Sequence, residues 1–369
     1  MSVQEVRSRM TAPKTTRRFS MKKDPNTPKM ALIQKEPTLE QWTKLYKLAA
    51  DIKKIAPWEH LWDVDLITIV PPGYQEPIFC STMGRNGETY AIGLYLGYEG
   101  LASLYRVLEG ADEPPLISGF QQKCLICYFG DREEILPKDR AVMNELGIKF
   151  RGRNQWVYFR SFEPGFYPWH INAKEADCLI IAFENIIEVF HSLFVEGVKV
   201  DFENGMSFVR TYSQEDQKWV DSISEVPDRV VEVPFYEVKD ELLVKRLKGE
   251  KKNKQHLEFD VLFIPVPIQD NKNTKPYLKR IVILADSSSG ILLDQHLIEQ
   301  KESVHDCVIG ILTGYIQKFG RPSAIHARDF EQGGYIKDLC QKLDIRLIEN
   351  VSVPAIDEIY ESMMDYFGL

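Results

Sequence analysis

Four groups of residues in this chain have types and spacings that bear on chemistry. Cys124-Leu125-Ile126-Cys127 has the spacing of a zinc knuckle or a dithiol pair. It sits in an apolar run that reads as a strand, where positions three apart face opposite sides, and no second Cys pair follows; two ordinary buried thiols are expected. Arg151, Arg153, Arg160 and His170, beside Tyr167-Pro168-Trp169, have the composition of a pocket for an anion or planar ligand, because Arg forks bind carboxylate and phosphate bidentately. The competing reading is a packed aromatic plug. Asp260 shares its strand face with Leu262, Ile264 and Val266, an apolar row in which an unpaired charge is expensive. Something must compensate it: Asp260 caps a strand start or pairs with Lys279 or Arg280, while Asp329 begins a turn. Glu358 and Glu361 are three apart and share a helix face. No Ser/His/Asp or Cys/His arrangement occurs at a diagnostic motif, and Gly97-Tyr98-Glu99-Gly100 lacks the spacing and Lys of a phosphate loop, so it reads as a helix entry.

A chain of 369 residues, 44% hydrophobic and 27% charged, affords about two globular domains. The net charge is −8, but residues 1–30 hold eight Lys/Arg against two acids, so the rest is markedly acidic and unsuited to non-specific contact with phosphate backbones. Residues 1–37 read as a disordered basic tail. Its alternative is a nucleic-acid arm through Arg7, Arg9, Lys14, Arg17, Arg18, Lys22 and Lys23. Six cysteines, no apolar run of membrane-spanning length and no signal-peptide core point to a reduced, cytoplasmic protein with no membrane partner.

Positioning these residues requires two domains. Thr38 and Gln41 form a capping box ahead of a helix ended by Pro57. Residues 66–70, 77–83 and 89–96 read as an antiparallel meander. Helices follow over 98–108 and 133–146, strands over 123–129 and 156–162, and a long helix opens at Asn172 and Glu175 and closes at Gly197. This predicts an α+β domain with an antiparallel sheet over 38–215. Residues 216–256, with a Lys/Arg-rich run, read as a charged connector.

From Leu257 the order is three strands (257–266, 278–285 and 291–298, the last pair joined by Ser287-Ser288-Ser289-Gly290), a helix capped by Ser303, a strand over 324–327, a helix over 334–343, a strand over 345–348 and a helix over 356–367. The series βββ-α-β-α-β-α is the RNase H-like order. In Glu258-Phe259-Asp260, Ala285-Asp286-Ser287-Ser288-Ser289-Gly290, and the run from Gly320-Arg321-Pro322 to Ala327-Arg328-Asp329, residues 257–369 resemble the core domain of retroviral integrases and related transposases. Through Glu88–Gly100, Lys149–Trp156 and Arg160–Trp169 the whole body after the tail also resembles an uncharacterised bacterial family of two consecutive domains of unknown function.

The integrase resemblance implies a two-metal site. In that family two Asp and a further acid on the last helix hold a pair of divalent cations about 4 Å apart. Asp260 matches the first position and Asp329 the second, with Asp357, Glu358 and Glu361 as candidates for the third and Mg²⁺ or Mn²⁺ as the implied cofactor. Three features oppose it. Asp329 is followed by Phe330-Glu331 rather than Asn-Gly; Pro265 and Pro267 interrupt a strand that should be central; and residues 251–369 carry fourteen basic against seventeen acidic residues, where a nuclease surrounds its acids with Lys and Arg. The expectation is a binding or interaction module, with a protein partner or with nucleic acid through the tail, whose RNase H-like domain is catalytically degenerate and holds no cofactor or metal. The alternative is a metal-dependent nuclease.

Overall fold

Thr38 and Gln41 satisfy each other's backbone N–H groups at the start of helix α1 (Leu39–Ile55), which buries Trp42, Leu45, Tyr46, Ala49 and Ile52 at helical spacing. In the computed structural model the described residues are 16–20, 35–109, 119–228, 230–269, 274–299 and 301–368. Thr16–Ser20 forms strand β1, so part of the segment expected to be a disordered tail is paired; the other residues before Lys35, with Arg7, Arg9, Lys14, Lys22 and Lys23, lie outside the described residues.

The first domain is built on a seven-stranded mixed sheet. Its strands β2 (Ile67–Val70), β3 (Ile78–Met83), β4 (Ala91–Leu96), β5 (Cys124–Gly130) and β6 (Trp156–Phe162) form the expected antiparallel series. Two further strands were not foreseen. β7 (Met206–Ser213) pairs parallel to β2, making the sheet mixed, and β8 (Lys218–Glu225) closes the edge against β7, so the first part of the expected connector belongs to this domain. Nearly all of β8 is exposed, which is why its apolar pattern was too weak to read. Helices α1 and α4 (Ala173–Phe194) cover one face and α2 (Gly97–Glu109) the other. The helix expected over 133–146 is split. A 3₁₀ turn occupies Arg132–Glu134, and Pro137 starts α3 (Pro137–Glu145), since Pro fits the first helical position but not an interior one.

β9 (Val230–Pro234) pairs in parallel with β1, and α5 (Glu241–Lys248) buries Leu247 against the second domain, so the connector is structured at both ends. The second sheet contains β10 (His256–Ile268), β11 (Tyr277–Asp286), β12 (Leu292–Ile298), β13 (Ala324–Ala327) and β14 (Arg346–Glu349) in the order β12-β11-β10-β13-β14. β10 runs antiparallel to β11 and parallel to β13, with a register shift between Phe263 and Pro267 that accommodates the prolines. Alternation along β10 sends Leu257, Phe259 and Val261 toward α6 (Val304–Phe319) and α7 (Phe330–Lys342), and Leu262 and Ile264 toward α8 (Pro354–Phe367). Both faces are therefore covered, and polar side chains on the α8 face must find partners inside.

The two domains meet where the loop after β6 joins the start of β11. Tyr167 N donates to Pro276 O (3.0 Å), Leu278 N donates to Gly165 O (2.9 Å), and Lys275 pairs with Glu163. The aromatic loop is thus a joint made by backbone hydrogen bonds and an ion pair, with Phe166 and Trp169 half-buried and Tyr167 exposed. No helix among the described residues is long and apolar enough to cross a membrane. Gly320 ends α6 at φ 91°, and a Cβ there would run into the Lys251 carbonyl oxygen, so both conformation and space demand glycine. Gly320→Ala is expected to lower stability by about 1–3 kcal/mol in urea unfolding; an unchanged midpoint would contradict this packing.

Candidate functional site

The α8 face of the second sheet gathers acids around one cation. Asp260, in the middle strand β10, is fully buried. Its Oδ2 accepts from Arg328 Nε at 2.7 Å, and its Oδ1 accepts from Val261 N at 2.8 Å. Arg328, at the end of β13, is also buried, and its Nη2 donates to Asp357 Oδ1 at 2.5 Å in the first turn of α8. One guanidinium therefore spans two carboxylates from two elements, the use for which its planar fork is suited. Burial pushes the Asp260 carboxyl up to about 6; Arg328 pulls it down, and the charge of Asp329 adds to the rise. Burial opposes the Arg328 charge, but Asp260 and Asp357 outweigh it and hold its pKa above the ordinary value.

Glu258 completes the arrangement one pleat away. Its Oε2 accepts from Ile356 N (3.2 Å) and its Oε1 from Ser287 Oγ (3.1 Å). Val353, the residue before α8, offers no side-chain cap, so Glu258 supplies one from the sheet, where a carboxylate also meets the positive end of the helix dipole. Burial raises the Glu258 carboxyl, against the hydrogen bonds from Ile356 and Ser287. Asp286 ends β11 and accepts from the N–H and hydroxyl groups of Ser288 and Ser289; the Ser288 hydroxyl is the main cause holding its carboxyl down at about 2.

The acids singled out in the sequence take different local roles on this scaffold. Asp329 caps α7, its Oδ1 accepting from Gln332 N at 2.8 Å, and α7 begins at Phe330 rather than at Gly334. Glu358 and Glu361 are exposed, Glu358 lining a surface groove with Leu292, Met363 and Tyr366. Asp357 is the α8 acid that reaches the Arg328 fork. The partner of Asp260 is Arg328, not Lys279 or Arg280: Lys279 pairs with Glu299 and Arg280 lies over the Phe263 ring.

In the first domain Arg160 and His170 do come together, but on a buried acid. Arg160 binds Asp139 through both nitrogens, at 3.0 and 2.7 Å, and His170 Nδ1 lies 3.3 Å from Asp139 Oδ1. Burial would raise the Asp139 carboxyl; its bonds to His170 and Arg160 more than offset this and lower it. Tyr158 packs under the Arg160 guanidinium, and Tyr128 stacks on Tyr158. Arg151 and Arg153 are exposed, the latter 3.6 Å from Asp131, so the four basic residues form no common anion pocket. Cys124 and Cys127 are buried, and burial raises both thiols.

Residues 42–210 match the family model described as Domain of unknown function (DUF7309), and residues 243–364 match Domain of unknown function (DUF6930). No curated protein matches the chain. A solved structure, "CryoEM structure of simian T-cell lymphotropic virus intasome in complex with PP2A regulatory subunit B56 gamma", is similar over 33% of this chain and 45% of that one, at 22% identity and a TM-score of 0.23. The match spans under half of that chain, and a TM-score so low transfers neither fold nor activity. Two consecutive domains of unknown function thus account for the body of the chain.

The Arg328 bridge has a testable energetic signature. Its removal in Arg328→Met leaves a buried carboxylate uncompensated and is expected to cost about 3–5 kcal/mol at pH 7. The Asp260 carboxyl is raised in the folded protein, so its stabilising contribution is complete below its ordinary value near 4 and is lost as pH rises through about 6. Without Arg328 that carboxyl rises further, so the loss in Arg328→Met should be smaller at pH 5 than at pH 7. Urea unfolding at the two pH values measures it; a loss independent of pH would contradict the bridge.

Proposed function

We propose that the C-terminal domain is an RNase H-like domain in which an internal cation, Arg328, stands where a two-metal enzyme keeps its divalent ions, and that the chain works as a binding or interaction module in the cytoplasm. The observation that carries this reading is the fork of Arg328 across Asp260 and Asp357. The strand order β12-β11-β10-β13-β14, with β10 antiparallel to β11 and parallel to β13, supports the RNase H-like assignment. Two-metal chemistry needs carboxylate oxygens free to ligate hard cations. Here Asp260 and Asp357 are engaged by the guanidinium, Glu258 by the α8 N-terminus and Asp329 by the α7 N-terminus. A guanidinium supplies charge but neither a polarised water nor an open coordination position, so this arrangement favours structure over turnover.

Binding then falls to surfaces around the two sheets, with a protein as the expected partner for an acidic body; the basic segment before Lys35 is the part suited to nucleic acid. A ligand stabilises a fold only through preferential affinity for the native state. Mn²⁺ or Mg²⁺ added to the full chain is therefore expected to leave the melting temperature unchanged, with no cleavage of single- or double-stranded DNA or RNA. An Mn²⁺-dependent shift or cleavage that disappears in Asp260→Asn would overturn this reading in favour of a metal-dependent nuclease.

A further inference from the structure

The edge strand β12 carries a second donor cluster, two strands away from Asp260 and unconnected with the Arg328 bridge. His296 on β12, Glu302 in the loop that follows and Cys307 in the first turns of α6 each present one ligand atom, and the three atoms lie within 4.8 Å of one another. We propose that His296, Glu302 and Cys307 bind one divalent cation of the zinc class.

The donor set argues for that class. An imidazole nitrogen, a thiolate and a carboxylate together suit a borderline-soft ion, whereas Mg²⁺ and Ca²⁺ take oxygen alone. With metal–ligand bonds of about 2.0–2.3 Å, tetrahedral donors stand roughly 3.3–3.8 Å apart, so a contraction of about 1 Å closes the set around an ion. The three residues are half-exposed and line an open cleft of about 540 Å³, so the side chains have room to close and an ion has a path in.

The surroundings are already arranged for a cation. Glu302 Oε2 is 3.0 Å from His296 Nε2 and accepts from Glu299 N at 2.8 Å, so carboxylate and imidazole already stand side by side, and an ion would replace the contact between them. Asp294 and Asp306 line the same cleft against one base, Lys301. Cys307 sits near the positive end of the α6 dipole, which favours a negatively charged sulfur. The three ligands come from a strand, a loop and a helix, so the ion would clip the sheet edge to α6 and leave its remaining coordination position to water.

Cobalt(II) provides the readout, because only thiolate ligation gives a sulfur-to-cobalt charge-transfer band, and tetrahedral sites give intense visible bands. The other five cysteines are buried, so a band reports on Cys307. Titration of the reduced full chain with Co²⁺ is expected to develop both features, saturating at one ion per chain and bleached by Zn²⁺. Cys307→Ser should abolish the charge-transfer band, and His296→Gln should weaken binding by more than about a hundredfold, beyond the roughly 10–100-fold that loss of a supporting contact costs. Absence of a charge-transfer band in the unsubstituted chain, its persistence in Cys307→Ser, or unchanged affinity in His296→Gln would each overturn the site.

Discussion

A buried carboxylate in the central strand of the second domain must be neutralised, and much of that domain is organised around how this is done. Taken alone, Asp260 would lose its hydration with nothing in return, at a cost no small domain tolerates. Arg328 reaches it from the neighbouring parallel strand and continues to Asp357 on α8, so one side chain ties a strand end, the sheet centre and a helix N-terminus. The same helix end is satisfied by Glu258 from the same strand face. Position, charge and capping are thus coupled: α8 docks where it does because two acids on β10 need, directly or through Arg328, the groups it brings. Such a network is costly to interrupt at any one member, although replacing it whole by apolar groups need not be.

The first domain repeats the device with other residues. Arg160 and His170 converge on Asp139, fixing α3 to the end of the sheet, and the tyrosine stack under Arg160 shields the pair from water. From this end of the sheet the loop after β6 continues to the start of β11, so the domain joint is braced by the strand that carries Arg160. The exposed Arg151 and Arg153 take no part in that brace.

How far the sequence could be read follows from which interactions are local. The capping boxes at Thr38 and Asn172, the apolar stripe of α4, the Ser-rich turn at Asp286 and the element order after Leu257 all depend on neighbours within a few positions, and these were legible. The apolar row around Asp260 correctly demanded a compensating charge, but the partner, Arg328, lies 68 positions away, where no local pattern connects it to Asp260. With α7 expected from Gly334, Asp329 reads as the start of a turn, whereas the helix begins at Phe330 and Asp329 caps it through Gln332 N. Spacing on α8 drew attention to Glu358 and Glu361, while the first-turn Asp357, set by the helix start at Pro354, reaches the interior. Strand β8 was missed because an exposed polar strand leaves no periodic signal, and β7 because its half-buried residues show no alternation. His296, Glu302 and Cys307 occur in no recognisable motif and converge only through the loop between β12 and α6.

A guanidinium, not a metal, holds Asp260 and Asp357. Crystals soaked in Mn²⁺ and measured for anomalous scattering test it most directly. The Arg328 fork should remain in place between both carboxylates, with no anomalous peak there. A manganese peak bridging Asp260 and Asp357, with Arg328 displaced, would contradict it.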